Sequence, residues 1–152
     1  MPAHLAVLKL TLDAIGGNAD ADQKIYLAKY AGVDLGYGFG WFGKHVRSMA
    51  LGADLSVLDE EHSLGHEVLQ TLTPAQYQRL AIVTKVQTPP PWASTVTAEW
   101  PNVLVTIHFL SRTYAAKPDR TEDVLERHYP AYLPLVGPTR ELLERTFLTV
   151  PA

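Results

Sequence analysis

The stretch that decides the fold class is "PNVLVTIHFLSRTYA", residues 101–115. It could be a helix, with apolar side chains on one face at Val103, Ile107, Leu110 and Tyr114. The run "VLVTIHF" would also suit a buried strand. Pro101 favours a helix, because proline lacks the N–H that the first helical turn leaves unpaired. Because the sequence offers no convincing partner strand, it predicts a helix here and an all-α fold.

Helical patterns lie on the N-terminal side of this stretch. Apolar residues repeat at helical spacing over residues 3–15, and the pair Gly16-Gly17 stops the pattern. Asp20, with Gln23 three residues later, resembles a capping box for a second helix. Two further helices are predicted: one from an N-cap at Asp54 to about residue 69, and one that begins at a Thr73–Gln76 capping box.

Two segments lack a helical pattern. In "DLGYGFGWFGKHV", residues 34–46, four glycines alternate with aromatic residues, which predicts a tight turn that leads into a helix near Trp41. Residues 88–101 contain four prolines and predict a stiff, extended connection.

The C-terminal part combines helices with prolines. Asp119 with Glu122 predicts a short helix, prolines break the next segment, and "TRELLERTFL", residues 139–148, predicts a last helix. We expect a single compact multi-helix domain over residues 1–152. Its proline-broken C-terminal arm, residues 118–152, is a candidate to pack on a partner subunit of a homo-oligomer.

Composition excludes several classes of function. The 152 residues have a net charge of −3 and no long run of like charges, so no nucleic-acid partner is expected. The lack of cysteine removes disulfides, thiolate metal sites and cysteine nucleophiles. No stretch approaches twenty apolar residues, so we expect no membrane association and a cytoplasmic location.

The motif "EHSLGHE", residues 61–67, carries the most informative polar pattern. On a helix at about 100° per residue, Glu61 and His62 face the same way as the neighbouring leucines. Gly65 leaves a gap on that face, where a ligand could approach the backbone. A carboxylate and an imidazole on an apolar face predict an acid–base pocket, although Glu61 could instead pair with an arginine.

The same motif allows a metal site. His62 and His66 are four residues apart, so they share a helix face, and His45, His108 or Glu61 could supply a third ligand. A zinc peptidase is not supported, because Ser63 stands where the catalytic glutamate would be. A divalent metal or haem is therefore the alternative to a site without a cofactor.

The glycine-rich segment carries a second set of candidates. Tyr37, Phe39 and Trp41 could form an apolar pocket, with His45 nearby and Arg47 as its basic end. Such a pocket would suit a small organic acid or a flat ring. The aromatic residues could instead fill the core.

The order of features from residue 24 onwards resembles the all-helical carboxymuconolactone decarboxylase and alkylhydroperoxidase-like families. The matching features are Phe39, Trp41, His45, Gly52, the helix predicted from Asp54, and "LTPAQYQRLAIV" at residues 72–83. The resemblance implies an obligate homo-oligomer with active sites near subunit contacts. It also implies activity on a small unsaturated acid or lactone without a cofactor.

Three departures from that family pattern narrow the implied activity. Gly40 replaces an acidic residue, His45 lies one position late, and the cysteine pair of the peroxidase branch is missing. A thiol-based peroxidase is therefore excluded.

The leading hypothesis is a small helical enzyme, of lyase or decarboxylase type, that performs cofactor-free acid–base chemistry on a small organic acid or cyclic metabolite. His45 would transfer the proton, Glu61 and His62 would complete the site, and Arg47 would hold a carboxylate. The alternatives are a metal- or haem-binding protein that uses His62 and His66, and a non-enzymatic oligomeric interaction protein.

Overall fold

Helix α5 (Trp100–Thr113) lies at the centre of the computed structural model, which describes residues 2–60 and 71–148. Pro101 occupies its first turn, as predicted, and the helix is buried along most of its length. The prediction of a helix over this stretch is therefore confirmed. Apart from one small two-stranded sheet, the described chain is all-α, which confirms the predicted fold class.

The other elements follow one another with short connections. They are α1 (Ala3–Ala14), α2 (Ala21–Tyr30), β1 (Gly40–Phe42), β2 (His45–Arg47), α3 (Met49–Glu60), α4 (Pro74–Val86), a first 3-10 helix (Pro91–Glu99), α6 (Asp119–His128), a second 3-10 helix (Pro130–Leu135) and α7 (Val136–Leu148). No helix in the described ranges is both long enough and apolar enough to cross a bilayer.

The core has two parts that meet at α2. The larger part joins α2, α4, α5 and the C-terminal helices, and its largest side chains are Trp100, Tyr26 and Tyr132, all at most 1% exposed. The smaller part joins α1, α2 and α3 around Leu8, Leu12 and Leu51.

The helix starts were predicted with mixed success. Thr73 and Gln76 form the predicted capping box, with both reciprocal hydrogen bonds present. Asp20 does not cap α2 through its side chain, because its backbone adopts a left-handed conformation with φ of 55°. Helix α3 begins at Met49, and the Ser48 hydroxyl accepts the Leu51 amide at 3.2 Å.

Two of these findings correct predictions about where α3 begins and ends. Asp54 is not its N-cap but lies inside the helix, where its carboxylate accepts the Tyr37 hydroxyl at 2.6 Å. The predicted end near residue 69 lies outside the described residues.

The glycine-rich segment forms a β-hairpin, so the prediction of a helix near Trp41 is wrong. Strands β1 and β2 pair antiparallel, with Phe42 opposite His45. Gly43 opens the two-residue turn with a φ of +68°, which glycine adopts without strain. The alternation of glycine and aromatic residues had the period of a strand, and the turn reverses the chain before α3.

The predicted extended connection is also wrong over most of its length. Pro90 is extended, but residues from Pro91 onwards form the first 3-10 helix, which buries Ala93 and Val96. Trp100 then donates its indole N–H to the Val86 carbonyl at 3.0 Å. Apolar burial therefore holds this proline-rich segment against the core.

The proline-broken segment after residue 118 packs on α5 within the same chain. Leu125 of α6, Tyr132 of the second 3-10 helix and Leu143 of α7 all belong to the larger core. Asp119 starts α6 as predicted, although no side chain caps it. Packing of this arm on a partner subunit stays a prediction.

Candidate functional site

A cavity of about 760 Å³ opens between α5 and α7 and reaches the start of α6. This volume is typical of sites for small organic molecules. We call it the α5–α7 cavity. Its lining consists of His108, Ser111, Arg112, Tyr114, Ala115, Pro118, Arg140, Leu143, Glu144 and Phe147.

Two arginines bring positive charge to the α5–α7 cavity. Arg112 places its guanidinium over the Tyr30 ring, 4.7 Å from the ring centroid. Arg140 donates from Nε to the Ser111 hydroxyl at 2.8 Å. Within residues 2–60 and 71–148, neither forms an ion pair with a carboxylate. Both guanidinium groups are thus positioned by other contacts and keep donors for an anion.

His108 is the third polar group of the α5–α7 cavity. Its Nδ1 lies 2.6 Å from the hydroxyl of Tyr26, which is completely buried. Its Nε2 has no hydrogen-bond partner in the part of the chain that the structure describes, and it remains accessible. One edge of the ring is therefore fixed by the core, while the other edge is open to a ligand.

The surroundings keep His108 uncharged. Burial, and secondarily the charge of Arg112, lower the pKa of His108 to about 4 from an ordinary value of 6.5. Burial also raises the pKa of Tyr26, so its hydroxyl stays protonated. At neutral pH the pair is a phenol beside a neutral imidazole.

The rest of the α5–α7 cavity is mostly apolar. Phe147 meets His108 edge to face, with 5.6 Å between ring centroids. Leu143, Ala115 and Pro118 extend the apolar wall. Glu144 is the one carboxylate among the lining residues, against two guanidinium groups. The lining therefore combines an apolar surface with net positive charge, which suits an organic anion.

His45, the predicted catalytic residue, lies on β2 away from the α5–α7 cavity. The Tyr129 hydroxyl donates to the Lys44 carbonyl at 2.6 Å and lies 3.3 Å from His45 Nδ1. Because the tyrosine proton is already used, Nδ1 of His45 is the donor and its Nε2 is free to accept. Burial, with Arg47 and Lys44, lowers the pKa of His45.

The structure separates the other predicted ligand-binding residues. Tyr37 belongs to the smaller core and bonds to Asp54, whereas Trp41 stacks on Phe109 of α5. Phe39 packs against both parts of the core. Arg47 is exposed, and its charge acts on both His45 and Asp22. Most of the surface of these aromatic residues is thus used in packing.

Glu61, His62 and His66 lie outside the described residues, so the acid–base and metal predictions for them stay predictions. Among the residues that the structure does describe, no three His, Asp or Glu side chains converge as metal ligands would.

The sequence held part of the signal for the α5–α7 cavity. His108 was considered only as a third metal ligand, and Arg112 only as a partner for Glu61. The two residues are four apart, which places them on one face of α5. Nothing local indicated Arg140, which reaches the same cavity from α7.

Comparison with known proteins provides no match for this chain: no family model, no curated protein and no solved structure matches it.

Proposed function

We propose that this protein binds a small organic acid in the α5–α7 cavity. The observation that carries the proposal is the convergence of two guanidinium groups, unpaired among the described residues, on an apolar cavity. A carboxylate would accept from Arg112 and Arg140, and an apolar body would cover Leu143 and Phe147. The resemblance described above implies the same class of ligand.

The charge on the ligand decides the affinity in this proposal. Hydrogen bonds to a charged group contribute roughly 1.5–3 kcal/mol, about twice the contribution of neutral ones. Arg140 is half-buried and held by Ser111, so little conformational entropy is lost when it binds an anion. A carboxylate should therefore bind more tightly than a neutral amide of the same shape.

Ligand-observed NMR tests the proposal with isocaproate and phenylpropanoate, each beside its own amide. We expect saturation transfer to the acids that exceeds transfer to the amides, and that is lost when Arg112 and Arg140 are both changed to alanine. Arg145→Ala, an exposed arginine on the same helix α7, is the matched control and should bind as the unmodified protein does. Equal transfer to acid and amide, or an unchanged signal in the double variant, would overturn the proposal.

A second candidate function is cofactor-free acid–base chemistry at His45. The contact with Tyr129 supports it, because it leaves Nε2 of His45 as a neutral, uncharged base at the protein surface. Such a base could remove a proton from the carbon next to a carbonyl group.

Deuterium exchange tests this candidate. Exchange at the carbon next to the carbonyl of α-ketoisocaproate, followed by NMR in D₂O, should be faster with protein than without it. The His45→Gln variant should lose that acceleration, while His4→Gln, an exposed histidine on α1, should retain it. An equal rate with His45→Gln and with unmodified protein would exclude His45 as the base.

A further inference from the structure

We infer that the α5–α7 cavity selects an α-keto acid: an acid with an uncharged oxygen beside its carboxylate and an apolar side chain. The inference rests on the proposed function, because the arginines must first hold the carboxylate. It adds a role for His108, which offers a neutral donor where the arginines offer charged ones.

The hydrogen bond to Tyr26 decides which nitrogen of His108 carries the proton. An sp² imidazole nitrogen is a stronger acceptor than a phenol oxygen, and a phenol is the stronger donor. Tyr26 therefore donates to Nδ1 across the 2.6 Å contact, and the single ring proton lies on Nε2. His108 thus presents an N–H to the α5–α7 cavity without a positive charge.

A neutral donor and a charged donor recognise different oxygens. Carboxylate oxygens bind most strongly to guanidinium groups, because both partners are charged. A ketone oxygen carries no charge, and it needs only one well-placed donor. A neutral N–H also does not draw the carboxylate away from the arginines, so the two kinds of donor fix the orientation of the ligand.

The donors lie close enough to bind adjacent oxygens. His108 and Arg112 are one turn apart on α5, so their Cβ atoms are roughly 5–6 Å apart. The same Tyr30 ring supports both groups, with centroid distances of 4.6 Å to the imidazole and 4.7 Å to the guanidinium. Two donors held side by side match two oxygens on neighbouring carbons, as in an α-keto acid.

The surroundings of His108 leave room for the apolar part of such a ligand. Phe147 turns its ring at 89° to the imidazole, and Leu143 lies one turn earlier on α7. The side chain of the keto acid would lie against these groups, while Glu144 disfavours a second carboxylate. The inferred ligand is thus a monoacid.

Isothermal titration with α-ketoisocaproate and isocaproate tests the inference, because the two acids differ only in the keto oxygen. We expect the unmodified protein to bind the keto acid roughly three- to tenfold more tightly, as one extra hydrogen bond would give. His108→Phe keeps a flat ring but has no donor, so the two acids should bind equally. Arg145→Ala should retain the full preference.

A second readout does not depend on a substitution. The ¹⁵N shifts of the His108 ring in unmodified protein should show a protonated Nε2 and an unprotonated Nδ1 at neutral pH. In Tyr26→Phe, which retains the buried ring, the tautomer preference and the keto-acid preference should both decrease.

The outcomes separate the two proposals. Arginine-dependent binding of both acids without a keto-acid preference would overturn this inference and leave the proposed function standing. A proton on Nδ1 would likewise overturn it. No binding of either acid would overturn the proposed function together with this inference.

Discussion

His108 and His45 are both half-buried, each beside a tyrosine, yet their surroundings leave opposite nitrogens free. Tyr26 has no acceptor that competes with His108 Nδ1 among its printed hydrogen bonds, so it donates to the ring. Tyr129 gives its proton to the Lys44 carbonyl, so it can only accept from His45. His108 therefore offers a donor to an enclosed cavity, whereas His45 offers an acceptor on a hairpin. The second partner of each tyrosine decides which histidine can recognise a ligand oxygen.

The largest expected difference between the two regions is in stability. Tyr26→Ala removes a fully buried ring and should lower the free energy of unfolding by roughly 3–5 kcal/mol. Tyr129→Ala removes a half-buried ring and should cost less. Urea denaturation followed by circular dichroism measures both values. Equal losses would mean that the two tyrosines support their histidines in the same way.

The pH dependence of stability distinguishes the histidines next. Since the pKa of His108 is lowered to about 4, the unfolded chain binds more protons than the folded one between that pH and 6.5. Its contribution to stability is complete above pH 6.5 and is lost as the pH falls, by at most about 3 kcal/mol. His108→Gln should flatten the curve of unfolding free energy against pH, and His45→Gln should flatten it less. Parallel curves for His108→Gln and unmodified protein would contradict this assignment.

The arginines near each histidine should affect anion binding differently. Arg112→Ala or Arg140→Ala should weaken isocaproate binding roughly tenfold or more, as the loss of a charge-assisted hydrogen bond would. Arg47→Ala, beside His45, should leave it unchanged. Titration calorimetry at constant salt gives the three affinities. A comparable loss with Arg47→Ala would move the anion site to the hairpin.

The smallest effect is expected at the hairpin. Tyr129→Phe removes the hydroxyl that joins Lys44 to His45 and should cost about 1 kcal/mol of stability. The ¹⁵N shifts of His45 should then show a more even mixture of tautomers. An unchanged tautomer population would mean that Tyr129 does not orient the ring.

The fold could be predicted where local chemistry decides it. Pro101 and the apolar periodicity were sufficient for α5, and Thr73 with Gln76 was sufficient for the start of α4. The glycine-rich segment failed, because glycine between aromatic residues is compatible with a turn and with a strand. Only the pairing of Phe42 with His45 decides between the two.

The α5–α7 cavity was largely beyond prediction from the sequence. Spacing places His108 and Arg112 on one helix face, but their shared support by Tyr30 depends on how α2 packs on α5. Arg140 joins them only through the packing of α7. The predicted homo-oligomer and cytoplasmic location stay predictions, as do the roles of Glu61, His62 and His66.

One ring, that of Tyr30, supports both a guanidinium and an imidazole, and this concentrates the vulnerability of the site in one codon. A descendant chain that lost either arginine would keep half of its anion recognition. A descendant that lost the Tyr30 ring would release both groups in a single evolutionary step. Lineages that retain the ligand should therefore retain an aromatic residue at this position even where the arginines drift.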